Sequence, residues 1–230
     1  RYLAAEVEEQ QESTSNIDMN LCQQNTTTIL PDFHALYQDV FSNDEFDTGR
    51  TLIVQHEIPL MEGTQPIKQK PYRYGPNQEK EIEQQVQKLL RKDLIEPGSG
   101  AWRSPVVLAR KKDGTWRFCV DYRKLNSVTQ RDVYPIPRID ESLDALGGSQ
   151  WFTTLDLLTG YWQVELSDDA REKSAFVTRS GLWQFKVLPF GLTSAPATFV
   201  RWMETIFRGL QWKTLQSVCK RGGISQSCGQ

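Results

Sequence analysis

The sequence predicts an α+β chain, a mixed or antiparallel sheet with packed helices, and three observations predict it. Two stretches carry helical periodicity. In Pro76–Leu94, residues Ile82, Val86, Leu89 and Leu90 share a face; in Ser194–Leu210, residues Phe199, Met203, Ile206 and Leu210 do. Apolar-rich runs at Pro105–Arg110 and Trp116–Tyr122 flank Asp113-Gly114, a sound hairpin signal. Trp151–Leu157, WFTTLDL, has the apolar and β-branched make-up of a buried central strand.

The remaining elements follow in order. Residues 1–28 are rich in Glu, Gln, Ser, Thr and Asn and too poor in apolar side chains to offset ordering entropy, so they read as a flexible linker. Leu30, Phe33, Leu36, Tyr37 and Val40 fall at helical spacing and predict a short helix from Pro31, giving 1–50 as a linker with one short helix. Thr51–Ile58 reads as a strand. In Gln65–Pro76 prolines alternate with Lys and Arg, which favours extended chain. Pro76 suits a first helical turn, and Glu96–Gly100, EPGSG, should stop that helix. Arg138–Leu146 reads as a helix ended by Gly147-Gly148, and Tyr161–Leu166 as a second extended piece. Ser167 can cap a turn of helix. Ala175–Thr178 and Leu182–Leu188 read as strands joined at Arg179-Ser180-Gly181. After Thr214 the text is small, polar and without period, and 215–230 reads as a disordered tail.

The 230 residues suffice for one large or two small domains. A net charge of −2 hides an asymmetry: −10 over residues 1–65, +8 over 66–138 and zero over 139–230. The basic middle third suggests a polyanion partner; a solvated surface of mixed charge is the plain alternative. Cys22, Cys119, Cys219 and Cys228 form no CxxC pair, and His34 and His56 stand apart, so no zinc site is readable. Scattered cysteines fit a reducing compartment. No run reaches membrane-spanning length and no signal peptide is visible. The expected location is therefore intracellular, cytoplasmic and/or nuclear, not secreted, with no membrane partner. A chain opening on Arg1 reads as a piece of a longer polypeptide.

Asp156 lies inside the central strand. A carboxylate in a buried strand is costly unless paired, either with a divalent metal ion or with a neighbouring backbone turn. The blocks around it carry a resemblance. LDLLTGYWQV at Leu155–Val164, VDYRKLN at Val120–Asn126 and LPFGLTSAPATF at Leu188–Phe199 closely resemble the reverse transcriptases of gypsy-type long-terminal-repeat retrotransposons. The likeness runs from about His56 to Thr214. It implies right-hand polymerase fingers and an incomplete palm over 51–214. It also implies template-directed nucleotidyl transfer with magnesium, an RNA or DNA template with a DNA primer, and deoxynucleoside triphosphates. The rest of such a polyprotein would be protease, ribonuclease H and integrase.

Two-metal catalysis holds its ions about 3.5–4 Å apart, more than one carboxylate can fix. The resemblance makes Asp156 the first of three catalytic acids and the Leu157 carbonyl a further metal ligand. The other two acids form an aromatic-x-Asp-Asp hairpin that should follow Ser194–Leu210. No acid occurs after Glu204. The chain therefore reads as truncated, as a frameshift or altered splice near Thr214 would produce, with stable magnesium binding in doubt. Asp168-Asp169 is the chain's one Asp-Asp pair, but Leu166 stands where the aromatic belongs, and the pair reads as a solvated helix start.

By the same resemblance, Lys111 and Arg117 clamp the incoming triphosphate, a task suited to charge-assisted bonds. Basic residues at a hairpin tip can also simply block edge pairing. Tyr161 matches the aromatic under the sugar and Phe190 a residue flooring the nucleotide pocket; each is otherwise a packing aromatic. Asp121 and Arg123 read as a structural ion pair. Trp162 and Ser194 depart from a His and an Asn common in the family. The expectation is a reverse transcriptase fragment inactive by itself. A non-catalytic nucleic-acid-binding module and a degenerate remnant are the alternatives.

Overall fold

The computed structural model describes residues 3–5, 36, 49–112, 114–135, 144 and 155–210. The chain divides into two compact units, Arg1–Gly49 with Gly148–Gly160, and Arg50–Gly147 with Tyr161–Gln230. In chain order the described strands are β1 (Leu3–Ala5), β2 (Thr51–His56), β3 (Ile95–Pro97), β4 (Ser104–Arg110), β5 (Trp116–Val120), β6 (Leu155–Leu157), β7 (Val164–Leu166), β8 (Phe176–Val177) and β9 (Leu182–Phe185). The helices are α1 (Pro76–Arg91), α2 (Arg123–Val128), α3 (Asp168–Lys173) and α4 (Ala195–Ile206), with a 3-10 turn at Gly160–Gln163.

In the smaller unit β1 pairs antiparallel with β6, placing Ala4 opposite Asp156. The linker expected over 1–28 thus gives way at Leu3–Ala5, where three apolar residues supply a ladder partner. Residues 6–28 lie outside the described set, as do most of the expected helices near Pro31 and over Arg138–Leu146. Leu36 and Asp144 are helical, and Leu36, assigned to an apolar face, is 73% exposed. Of the central strand, Leu155–Leu157 is described.

The larger unit holds a five-stranded sheet, order β3-β9-β8-β4-β5, antiparallel except for the parallel pair β4–β8. The mixed sheet agrees with the predicted class. Phe176 sits at its centre, with Phe185 at 5.2 Å and Phe118 at 5.6 Å between ring centroids. A separate pair, β2–β7, runs parallel.

Helix α1 buries Ile82, Val86 and Leu89 of the predicted stripe, and leaves its fourth member, Leu90, half-buried. It ends at Arg91, before EPGSG. Asp93 adopts φ 56° and donates its N–H to the Leu90 carbonyl, and Leu94 N–H bonds Leu89 O, closing the last turn in a left-handed cap. Glu96 and Pro97 are then strand rather than stop signal, because buried Leu94 and Ile95 pull the chain into the sheet. Tyr161–Leu166 also differs from expectation. Gly160–Gln163 is a 3-10 turn and only Val164–Leu166 is strand. Thr159, at φ 45°, turns the chain immediately before it.

Helix α4 has Ser194, the predicted first residue, as its N-cap and Pro196 in its first turn, and it ends at Ile206 rather than Leu210. Its buried set is Ala195, Ala197, Thr198, Val200, Trp202 and Met203, whereas Ile206 is 42% and Leu210 53% exposed. The stripe assigned to it was therefore too narrow at one end and misplaced at the other. No described helix is long and apolar enough to cross a membrane.

Candidate active site

The β4–β5 hairpin brings two of the expected triphosphate ligands together. Ala109 lies opposite Arg117, and Lys111 N–H donates to Thr115 O at 2.8 Å, so the pairing continues to the tip. Alternation along a ladder puts opposed residues, and those two positions away, on one face. Lys111 and Arg117 thus share a face, Lys111 exposed and Arg117 half-buried. Gly114, at φ 82°, closes the turn as the Asp-Gly signal requires.

The hairpin's base is tied to the chain before α1. Tyr72 donates its hydroxyl to Asp121 at 3.0 Å, and Tyr74 hydrogen-bonds the Val106 carbonyl. Asp121 takes both arms of the Arg123 guanidinium, at 2.8 and 2.7 Å, the structural pair the sequence suggested. Those bonds hold its carboxyl down at about 2. Along 67–70 the chain alternates inward and outward, leaving Lys68 and Lys70 exposed, as is Arg73. Neither tyrosine was singled out from sequence; the alternation of Tyr72 and Tyr74 in an extended stretch was the available signal.

The aromatic residues form a second cluster in the same unit. Tyr161, 6% exposed, lies 5.5 Å from the ring of Phe190 and 5.3 Å from that of Phe199. Trp162 lies 5.8 Å from Phe190. Phe190 is 44% exposed, so its ring is an open platform rather than core. It sits on the turn between Leu188, whose N–H bonds Val164 O, and α4.

Residues 109–221 match the family model for reverse transcriptase (RNA-dependent DNA polymerase). The chain is 40% identical over 178 residues to the Pol polyprotein of transposon 297 of Drosophila melanogaster, covering 74% of this chain and 17% of that one. It is 33% identical over 188 residues to the enzymatic polyprotein of cauliflower mosaic virus (strain Strasbourg), covering 80% and 28%. Residues 109–221 belong to the reverse transcriptase family. The native protease-reverse transcriptase of prototype foamy virus shares the fold, with TM-score 0.70 and 21% identity over 88% of this chain and 28% of that one. The foamy viral enzyme solved with an RNA/DNA hybrid gives TM-score 0.63 at 20% identity, covering 84% and 25%. The chain spans under a third of each of these relatives. The family match reaches seven residues past Thr214, where the sequence suggested a break.

Within this reverse transcriptase segment, Asp156 and Leu157 lie on β6 in the smaller unit, and Lys111, Arg117, Tyr161 and Phe190 in the larger. Asp168 and Asp169 open α3. Ser167 Oγ caps that helix by accepting from Ala170 N–H, and Arg171 and Lys173 pair with the two acids. Their side chains are 99% and 74% exposed, as a solvated helix start should be. Among the described residues no three His, Cys, Asp or Glu come together so as to hold a metal ion. Among those residues, then, the donors do not make up a two-ion centre.

Proposed function

We propose that this chain is the fingers and part of the palm of a gypsy-type retrotransposon reverse transcriptase. Its parent polyprotein would copy RNA or DNA from a DNA primer by two-metal catalysis and would also carry protease, ribonuclease H and integrase. The supporting observation is the contact of Tyr161 with the half-open Phe190 ring, in the same unit as a hairpin presenting Lys111 and Arg117 on one face. An aromatic surface suits a sugar and base, and a paired Lys and Arg suit a triphosphate. In this reading the chain itself acts inside the cell.

Residues 1–230 supply Asp156 but no Asp-Asp pair after α4. They bind duplex and nucleotide without joining them. In a primer-extension assay with magnesium, the chain should show no incorporation. Incorporation that disappears in Asp156→Asn would sink the inactive reading.

The exposed Lys68, Lys70 and Arg73 favour a second reading, a module that grips nucleic acid without catalysis. Such binding should fall steeply as salt rises, through counterion release. Affinity unchanged between low and moderate salt speaks against it.

A further inference from the structure

The turn that carries Phe190 is held by a side chain from a distant part of the sequence. Asn126, half-buried on α2, donates from Nδ2 to the Gly191 carbonyl at 2.8 Å and accepts at Oδ1 from the Thr193 N–H at 3.0 Å. The two contacts fix the amide's orientation, since a flipped amide would set donor against donor and acceptor against acceptor. Between them lies Leu192, 6% exposed, and before them Phe190.

This bracket is not needed to satisfy buried polar groups. Gly191 and Thr193 are exposed, and water could serve their carbonyl and N–H. The bracket instead fixes a conformation. Gly191 sits at φ 99°, a region open to a glycine that could leave it readily. A side-chain amide spanning residues 191 and 193 holds the turn there, with the Phe190 ring against Tyr161 and Trp162.

We infer that Asn126 is a positioning residue for the nucleotide pocket, acting through Phe190 by clamping the 191–193 backbone. The inference rests on the pocket reading given under Proposed function. Truncation to alanine removes both bonds at once, and Phe190 then samples orientations that do not receive a nucleotide.

The test uses the full 230-residue chain with an RNA template, DNA primer, magnesium and a fluorescent deoxynucleoside triphosphate, read by anisotropy. Asn126→Ala should weaken nucleotide binding about tenfold, the scale of one or two lost hydrogen bonds. Phe190→Ala should weaken it at least as much. The double variant should bind no worse than Phe190→Ala alone, because a residue acting through Phe190 has nothing left to position. Affinity for the duplex without nucleotide should not change. Ser127→Ala, whose hydroxyl bonds only within α2, to Lys124 O in the described contacts, should match wild type throughout.

Wild-type nucleotide affinity in Asn126→Ala overturns the positioning role, as does a double variant that loses the full sum of the two single losses. Parallel loss of duplex affinity overturns it too, by making Asn126 a general prop. A wild-type chain that binds duplex but no nucleotide overturns the pocket reading and the positioning role with it. Hydrogen exchange guards against misfolding: faster exchange confined to 190–193 supports the inference, and faster exchange across α4 and β7 refutes it.

Discussion

Helices α1 and α4 began as the same kind of observation, an apolar stripe at helical spacing, and ended differently. The α1 stripe of Ile82, Val86 and Leu89 is the buried stripe, and its far side carries charge and Gln. On α4 the burial spreads to Ala197, Thr198, Val200 and Trp202, while Ile206 at its end is open. A helix lying on one surface displays its orientation in its polar positions. A helix packed from several directions has few polar positions to read, and small residues such as Ala195 and Ala197 mark contact without announcing it.

The contrast can be broken by substitution. The largest effect belongs to Trp202→Ala, which should cost about 3–5 kcal/mol because the ring is 4% exposed. Urea unfolding would check it; a loss near that of a surface residue would mean α4 is peripheral.

Next comes a pH effect. His56 on β2 contacts Thr198 Oγ1 of α4 at 2.8 Å and is 2% exposed. Burial pushes its imidazole down to about 4, with the Asp132 charge opposing. The unfolded chain takes up a proton near 6.5, so this contribution is complete above that pH and fades as pH falls toward about 4. The total is up to about 3 kcal/mol. Denaturant midpoints at pH 7 and pH 4.5 should separate in wild type and converge in His56→Gln.

Leu89→Ala should cost about 2–3 kcal/mol, less than Trp202→Ala, since α1 covers the unit on one side. The reverse order would invert the comparison. Ile206→Lys should change stability by at most about 0.5 kcal/mol while raising solubility, as its side chain is 42% exposed. A loss above 2 kcal/mol there would restore the stripe first assigned.

Local chemistry was legible. Asp113-Gly114 specifies its hairpin within a few residues, and β4 and β5 lie where expected. Ser167 announces α3 by the same logic. What failed was set by distant partners. Glu96 and Pro97 read as a stop until β9 is there to pair with them. The extended reading of Tyr161–Leu166 missed the turn because a 3-10 segment of four residues has no period to show. Lys111 and Arg117 could be placed on one hairpin, and Tyr161 and Phe190 assigned by likeness, but no spacing states that two rings touch. Asn126 was visible as a letter of VDYRKLN and silent as to its bonds, which lie 65 and 67 residues away.

The parallel joint between β4 and β8 has a further consequence, for synthesis. Ser104 meets Phe176 across 72 positions of chain, whereas β4 and β5 meet across a tight turn. On a ribosome the hairpin can close early, but its other edge stays open until Phe176 and Val177 emerge, a delay of several seconds at about 5–20 residues per second. During that interval Val106, destined for burial, faces solvent or a chaperone. Slow codons placed shortly after Val177 would let the joint form before α4 arrives; slow codons just before it would prolong the exposed state.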